Sequence, residues 1–134
     1  MNPADMFDKA SILQIKMQRL GVDLSEDLAR CIMLTKHFHQ APAFIEELRR
    51  LNEMGWETND QLFQALQEPY PSTFGEALRL IVYAKLSHAI NQARITLKND
   101  INRQLGCAEQ EIKSWQPEPK NGSNIRASEK PANA

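Results

Sequence analysis

No proline interrupts the chain between Pro71 and Pro117, and from Thr73 to Leu105 apolar residues recur at helical spacing through Leu78, Ile81, Val82, Leu86, Ala89, Ile90, Ala93, Leu97, Ile101 and Leu105. Thr73 followed three positions later by Glu76 has the form of a capping box, a natural start for such a helix. At about 1.5 Å of rise per residue the pattern predicts a helix roughly 50 Å long. In a chain of 134 residues, this length outruns any shorter helix beside it. The long helix must therefore back a whole bundle or project past it toward a partner. Gly106 ends it, or the helix resumes through Ile112 to Trp115.

The rest of the body is helical by the same criterion. Met6, Ala10, Leu13, Met17 and Leu20 form a 4-3-4-3 seam, widened by Phe7 and Ile12, and Gly21 stands where a left-handed residue closes a helix. Asp23 with Glu26 opens a second helix through Leu24, Leu28, Cys31, Ile32, Thr35 and Phe38, fading near Gln40. Pro42 suits the first turn of a third, with Phe44, Ile45, Leu48, Leu51 and Met54 on one face and Gly55 at its end. Thr58 with Gln61 reads as the start of a short fourth helix carrying Leu62, Phe63 and Leu66, with Trp56 as a plug before it. Glu68-Pro69-Tyr70-Pro71-Ser72 is a rigid turn. No stretch alternates as a strand would. The expected fold is an all-α bundle of four to five helices with one long C-terminal helix, coiled-coil-like in its seams. It spans residues 1–115, and residues 116–134, with three prolines and one sizeable apolar residue, Ile125, form a disordered tail.

Several function classes are disfavoured. Sixteen Lys and Arg against seventeen Asp and Glu leave a net charge of −1, without the basic excess common among duplex and membrane-surface binders. The start, Met1-Asn2-Pro3-Ala4-Asp5, has no basic segment leading into an apolar run, and no stretch reaches the roughly 18 apolar residues of a membrane span. A cytoplasmic protein with no membrane association is expected. Cys31 and Cys107 read as buried free thiols. Cys31 with His37 and His39 is the best metal candidate, yet the two histidines stand about 200° apart around a helix, so no metal and no cofactor are expected. No nucleophile elbow or phosphate loop is present. His88 has no acidic residue at i±3 or i±4, so no catalytic residue is assigned.

Charge is distributed unevenly. Residues 1–72 carry seven basic residues against eleven acids, a net of −4, whereas 73–105 carry Arg79, Lys85, Arg94, Lys98 and Arg103 against Glu76 and Asp100, a net of +3. The commoner outcome is that acidic helices pack beside the basic one; the functional alternative is a basic strip for nucleic acid or an acidic protein. On the first helix, Asp8 with Ser11 three residues on, and Lys9, Lys16 and Arg19, line one edge of the packing seam, a candidate surface for partner recognition. On the long helix His88 and Asn91, at i and i+3, stand with Arg94 and Lys98 as a second set of candidate partner-binding residues.

The segment Asp8-Lys9-Ala10-Ser11-Ile12-Leu13-Gln14-Ile15-Lys16, followed by Arg19-Leu20, resembles the opening motif of a family of small bacterial helical proteins of unknown function, often encoded near or fused to sugar-transfer enzymes. A second window, Leu86 to Asn102, is similar to that family's later motif at Asn91, Asp100 and Ile101, with Ile95, Lys98, Asn99 and Asn102 replacing its Trp, acidic pair and Arg. The resemblance implies an all-helical fold and a link to polysaccharide assembly, and it brings no defined activity. Taken together, the residues favour a non-enzymatic accessory protein that binds a partner helix or forms a homodimer, with nucleic-acid binding by the basic helix as the alternative.

Overall fold

The structure is a computed structural model, and it describes residues 2–67 and 73–107. Within them the chain is all helical: α1 (Pro3–Leu20), α2 (Ser25–Thr35), α3 (Ala41–Leu66) and α4 (Phe74–Gln104). The turn expected at 68–72, the stretch through Ile112 and Trp115, and the tail at 116–134 lie outside the described residues.

Local chemistry accounts for most helix ends. Asn2 caps α1, its Oδ1 accepting the Asp5 N–H at 2.9 Å, and Pro3 occupies the first turn, where a missing N–H costs nothing. Gly21 closes α1 at φ 66°, a conformation that disfavours any residue with a Cβ. The Thr73 hydroxyl accepts the Glu76 N–H at 3.1 Å and starts α4, as the capping spacing predicts. Asp23 instead accepts both the N–H and the hydroxyl of Ser25, so the helix proper begins one residue later than an Asp23 cap would set it. Phe38 lies beyond α2, in a turn closed by its N–H donating to the Thr35 carbonyl.

One expected break is absent. Gly55 does not end a helix, and Thr58 does not start one; α3 runs 26 residues through both. A mid-helix glycine costs only about 1 kcal/mol relative to alanine, which packing readily overrides. Packing does not require the glycine either, since a Cβ built there would stand in ordinary contact, 3.5 Å from the Ile90 methyl of α4. Thr58, expected at a cap, is buried.

The long helix pair sets the shape. α3 and α4 run against each other as a hairpin, and α1 packs on both of them and on α2. In consequence α1 is not a one-seam helix: Ala4, Phe7, Asp8, Ala10, Ser11, Leu13 and Ile15 are all buried, while Leu20 at the seam's end is exposed. The core centres on Phe7, whose ring meets Phe38 edge-on at 6.0 Å and Phe44 at 5.6 Å, with Leu48 and Ile101 fully buried nearby. Every buried residue of α4, namely Ile90, Ile95, Lys98, Ile101 and Asn102, lies in its second half. The first half of α4 and the end of α3 form an arm extending past α1. No described helix is long and apolar enough to cross a membrane.

Candidate interaction site

Two features of the fold carry polar or apolar groups that a plain bundle would not need: a buried ionic network at the base, and an apolar stripe on the arm.

The network centres on Asp8, which α1 places against α4 and α3. Arg94 grips its carboxylate with two prongs, Nε to Oδ1 at 3.2 Å and Nη2 to Oδ2 at 2.8 Å, and Asn52 Nδ2 donates to Oδ1 at 2.8 Å. Lys98 Nζ stands 2.9 Å from Asp5 Oδ1 and 3.7 Å from Asp8 Oδ2. Asn52 also donates to the Ser11 hydroxyl at 2.7 Å, and the Arg94 Nη1 donates to Asn91 Oδ1 at 2.9 Å. Burial alone would push the Asp8 carboxyl up. The hydrogen bonds from Arg94 and Asn52 and the charges of Arg94 and Lys98 outweigh it and hold the group below the ordinary carboxylate range. Such a carboxylate is a weak base with its oxygens already occupied, so the arrangement suits an ionic lock between helices better than proton transfer. One turn away, Asn102 Oδ1 accepts the Ala4 N–H at 3.1 Å, satisfying a donor at the start of α1 that the helix itself leaves open.

The structure thus divides the eight candidate residues. Asp8, Asn91, Arg94 and Lys98 come together. Lys9 and Lys16 are exposed on α1, and Arg19 pairs with Glu57 at 3.2 Å while lying 6.0 Å from the Trp56 ring centroid. Asp8 was expected beside Lys9 and Lys16 along one edge; α1 is enclosed on several sides, which draws Asp8 inward and leaves the lysines in solvent. His88 is exposed, and with Asn91 it lines a groove of about 650 Å³ between α1, α3 and α4, whose apolar walls include Ile12, Leu51, Trp56 and Leu62. The basic strip is also divided, since Arg94 and Lys98 turn inward to Asp8 and Asp5 and Arg103 pairs with Asp100. Cys31 is buried as expected, whereas Cys107, just past the end of α4, is only half-buried, and no three His, Cys, Asp or Glu side chains converge as metal ligands among the described residues.

Asn52 escaped the sequence reading: it sits at helical spacing among apolar neighbours, so only its identity as a small polar residue inside a core face marked it. Ser11, read with Asp8 on the packing edge, joins the network through Asn52.

The apolar stripe lies on the first half of α4. Phe74 is 83% exposed, and Leu78, Ile81, Val82 and Leu86 are 42–53% exposed. At about 100° per residue these five, with Lys85 and Ala89, fall in an arc of roughly 140° on the side opposite Lys98. The helix therefore carries apolar residues on one side along the base and on the other side along the arm. A single continuous seam from Leu78 to Leu105, as the spacing suggests, does not exist: the seam changes sides near Ile90, where α4 leaves the shelter of α1.

Comparison with protein families, with curated proteins and with solved structures finds no match for this chain.

Proposed function

We propose that the protein is a non-enzymatic helical interaction protein, and that its recognition surface is the arm formed by the end of α3 and the first half of α4. The observation that carries this reading is the stripe of five large apolar side chains on α4, all more than 40% exposed and all on one side. Isolated apolar residues on a surface are ordinary; a contiguous stripe along three turns of a helix is the form in which amphipathic helices recognise one another. Phe63 and Leu66 at the end of α3, 66% and 58% exposed, extend the apolar character of the arm. The base supplies rigidity: the Asp8 network joins α1, α3 and α4, so the arm projects from a fixed platform.

Nucleic-acid binding has less support, because Arg94 and Lys98 are engaged inside the base, which leaves Arg79 and Lys85 on a mostly apolar surface.

The test is affinity capture from a lysate with the full chain immobilised, beside a variant carrying Leu78→Glu and Val82→Glu. Both sites are exposed, so the variant should keep its helical circular dichroism. Selective loss of captured protein or of self-association in the variant supports the reading. Identical behaviour of the two proteins contradicts it.

A further inference from the structure

The stripe on α4 has a shape that suits one occupant in particular. We infer that it is covered by the same stripe of a second copy of this chain, with the two α4 helices antiparallel about a two-fold axis between Ile81 and Val82. This rests on the reading of the arm as an interaction surface and names its partner.

An isologous interface requires a surface complementary to itself, with residue i facing j and j facing i. Antiparallel pairing about that axis sets Phe74 against Ala89, Leu78 against the stem of Lys85, and Ile81 against Val82, with Leu86 one residue past the Leu78 level. The largest side chain of the stripe thus meets the smallest, which lets large and small groups interdigitate as a packed helix pair requires. Parallel pairing instead stacks Phe74 on Phe74.

Charge points the same way. Lys85 is the one charged residue inside the arc, and Arg79 stands beside it on the flank nearer α3. Parallel pairing brings the two Lys85 side chains side by side. The antiparallel arrangement places them on opposite sides of the axis, about 10 Å apart along the helices, beyond a Debye length of about 8 Å at physiological salt. The Lys85 stems are free to lie along the apolar seam with their amines in water.

Area is at the threshold. Exposures of 42–83% over a Phe, two Leu, an Ile and a Val present on the order of 500 Å² per copy, so two stripes meeting remove at most about 1,000 Å² in total, the lower bound for a specific interface. The flanks add to this.

Cysteine cross-linking of the full chain in a Cys107→Ser background reads the register, since a disulfide needs Cα atoms within about 7 Å. Val82→Cys should link to itself under mild oxidation. Leu78→Cys and Lys85→Cys should each stay unlinked alone and link when mixed. Self-linking of Leu78→Cys would overturn the antiparallel arrangement. A mass that stays at 15.3 kDa at every concentration, with no linking at any position, would overturn the second copy as occupant. In that case, capture of another protein that Leu78→Glu with Val82→Glu abolishes would leave the interaction reading standing, and its absence would remove that reading as well.

Discussion

Asp8 and Arg94, 86 positions apart in the chain, meet in a two-pronged ion pair with contacts of 2.8 and 3.2 Å that ties the first helix to the last. Lys98, whose side chain is 6% exposed, adds a second cation shared with Asp5. Removing one member leaves charged partners in a site with little water, so Asp8→Ala should cost about 3 kcal/mol in urea unfolding. Replacing the centre together, as Asp8→Leu with Arg94→Met and Lys98→Met, should cost less than Asp8→Ala alone, because no buried charge is left uncompensated. Equal or greater loss in the triple variant would show that the network contributes net attraction.

The same pair predicts a pH dependence. The Asp8 carboxyl is held below its unfolded value, so its contribution is fully present above about pH 4, where an unfolded Asp is ionised, and is lost as pH falls through the lower folded value. The stability difference between the wild type and Asp8→Asn should therefore be largest near neutrality and shrink below about pH 4. A difference that grows with acidity would reverse the sign and refute the ionised assignment.

Two glycines should respond in opposite directions to alanine. Gly55 has helical geometry, and a Cβ there meets Ile90 at 3.5 Å, an ordinary contact, so Gly55→Ala should stabilise by about 0.5 to 1 kcal/mol. Gly21 sits at φ 66°, so Gly21→Ala should destabilise by about 1 kcal/mol despite open space around it. Thermal melts of the two variants separate packing from backbone strain.

Two phenylalanines test where the core ends. Phe7 is fully buried between Phe38 and Phe44, and Phe7→Ala should cost about 3 to 5 kcal/mol. Phe74 is 83% exposed, and Phe74→Ala should leave the unfolding of the isolated subunit nearly unchanged while weakening self-association. Comparable destabilisation of both variants in dilute protein would mean that the arm folds back onto the base.

The all-helical architecture, the cap at Thr73, the stop at Gly21 and the length of α4 were legible in the chain because each is a local matter of spacing and cap chemistry. The break assigned at Gly55 was misplaced, because a glycine inside a helix costs only about 1 kcal/mol and the packing of α3 on α4, invisible in the local pattern, carries the helix through it. The network was half visible: Asp8, Asn91, Arg94 and Lys98 stood out as charged or polar residues on helix faces, but their meeting depends on how α1 lies across the hairpin, which no local pattern encodes. Asn52 was missed for the same reason. The two-sided character of α4 was hidden as well, since a continuous list of apolar positions looks like one seam until the end of α1 is located.

The central claim is that the α4 stripe is an interface. Light-scattering mass of the wild-type chain against Val82→Glu, over a hundredfold range of concentration, tests it directly. The wild type should approach twice 15.3 kDa as concentration rises, and the variant should stay at 15.3 kDa with unchanged helicity. Equal masses for the two proteins at every concentration would contradict it.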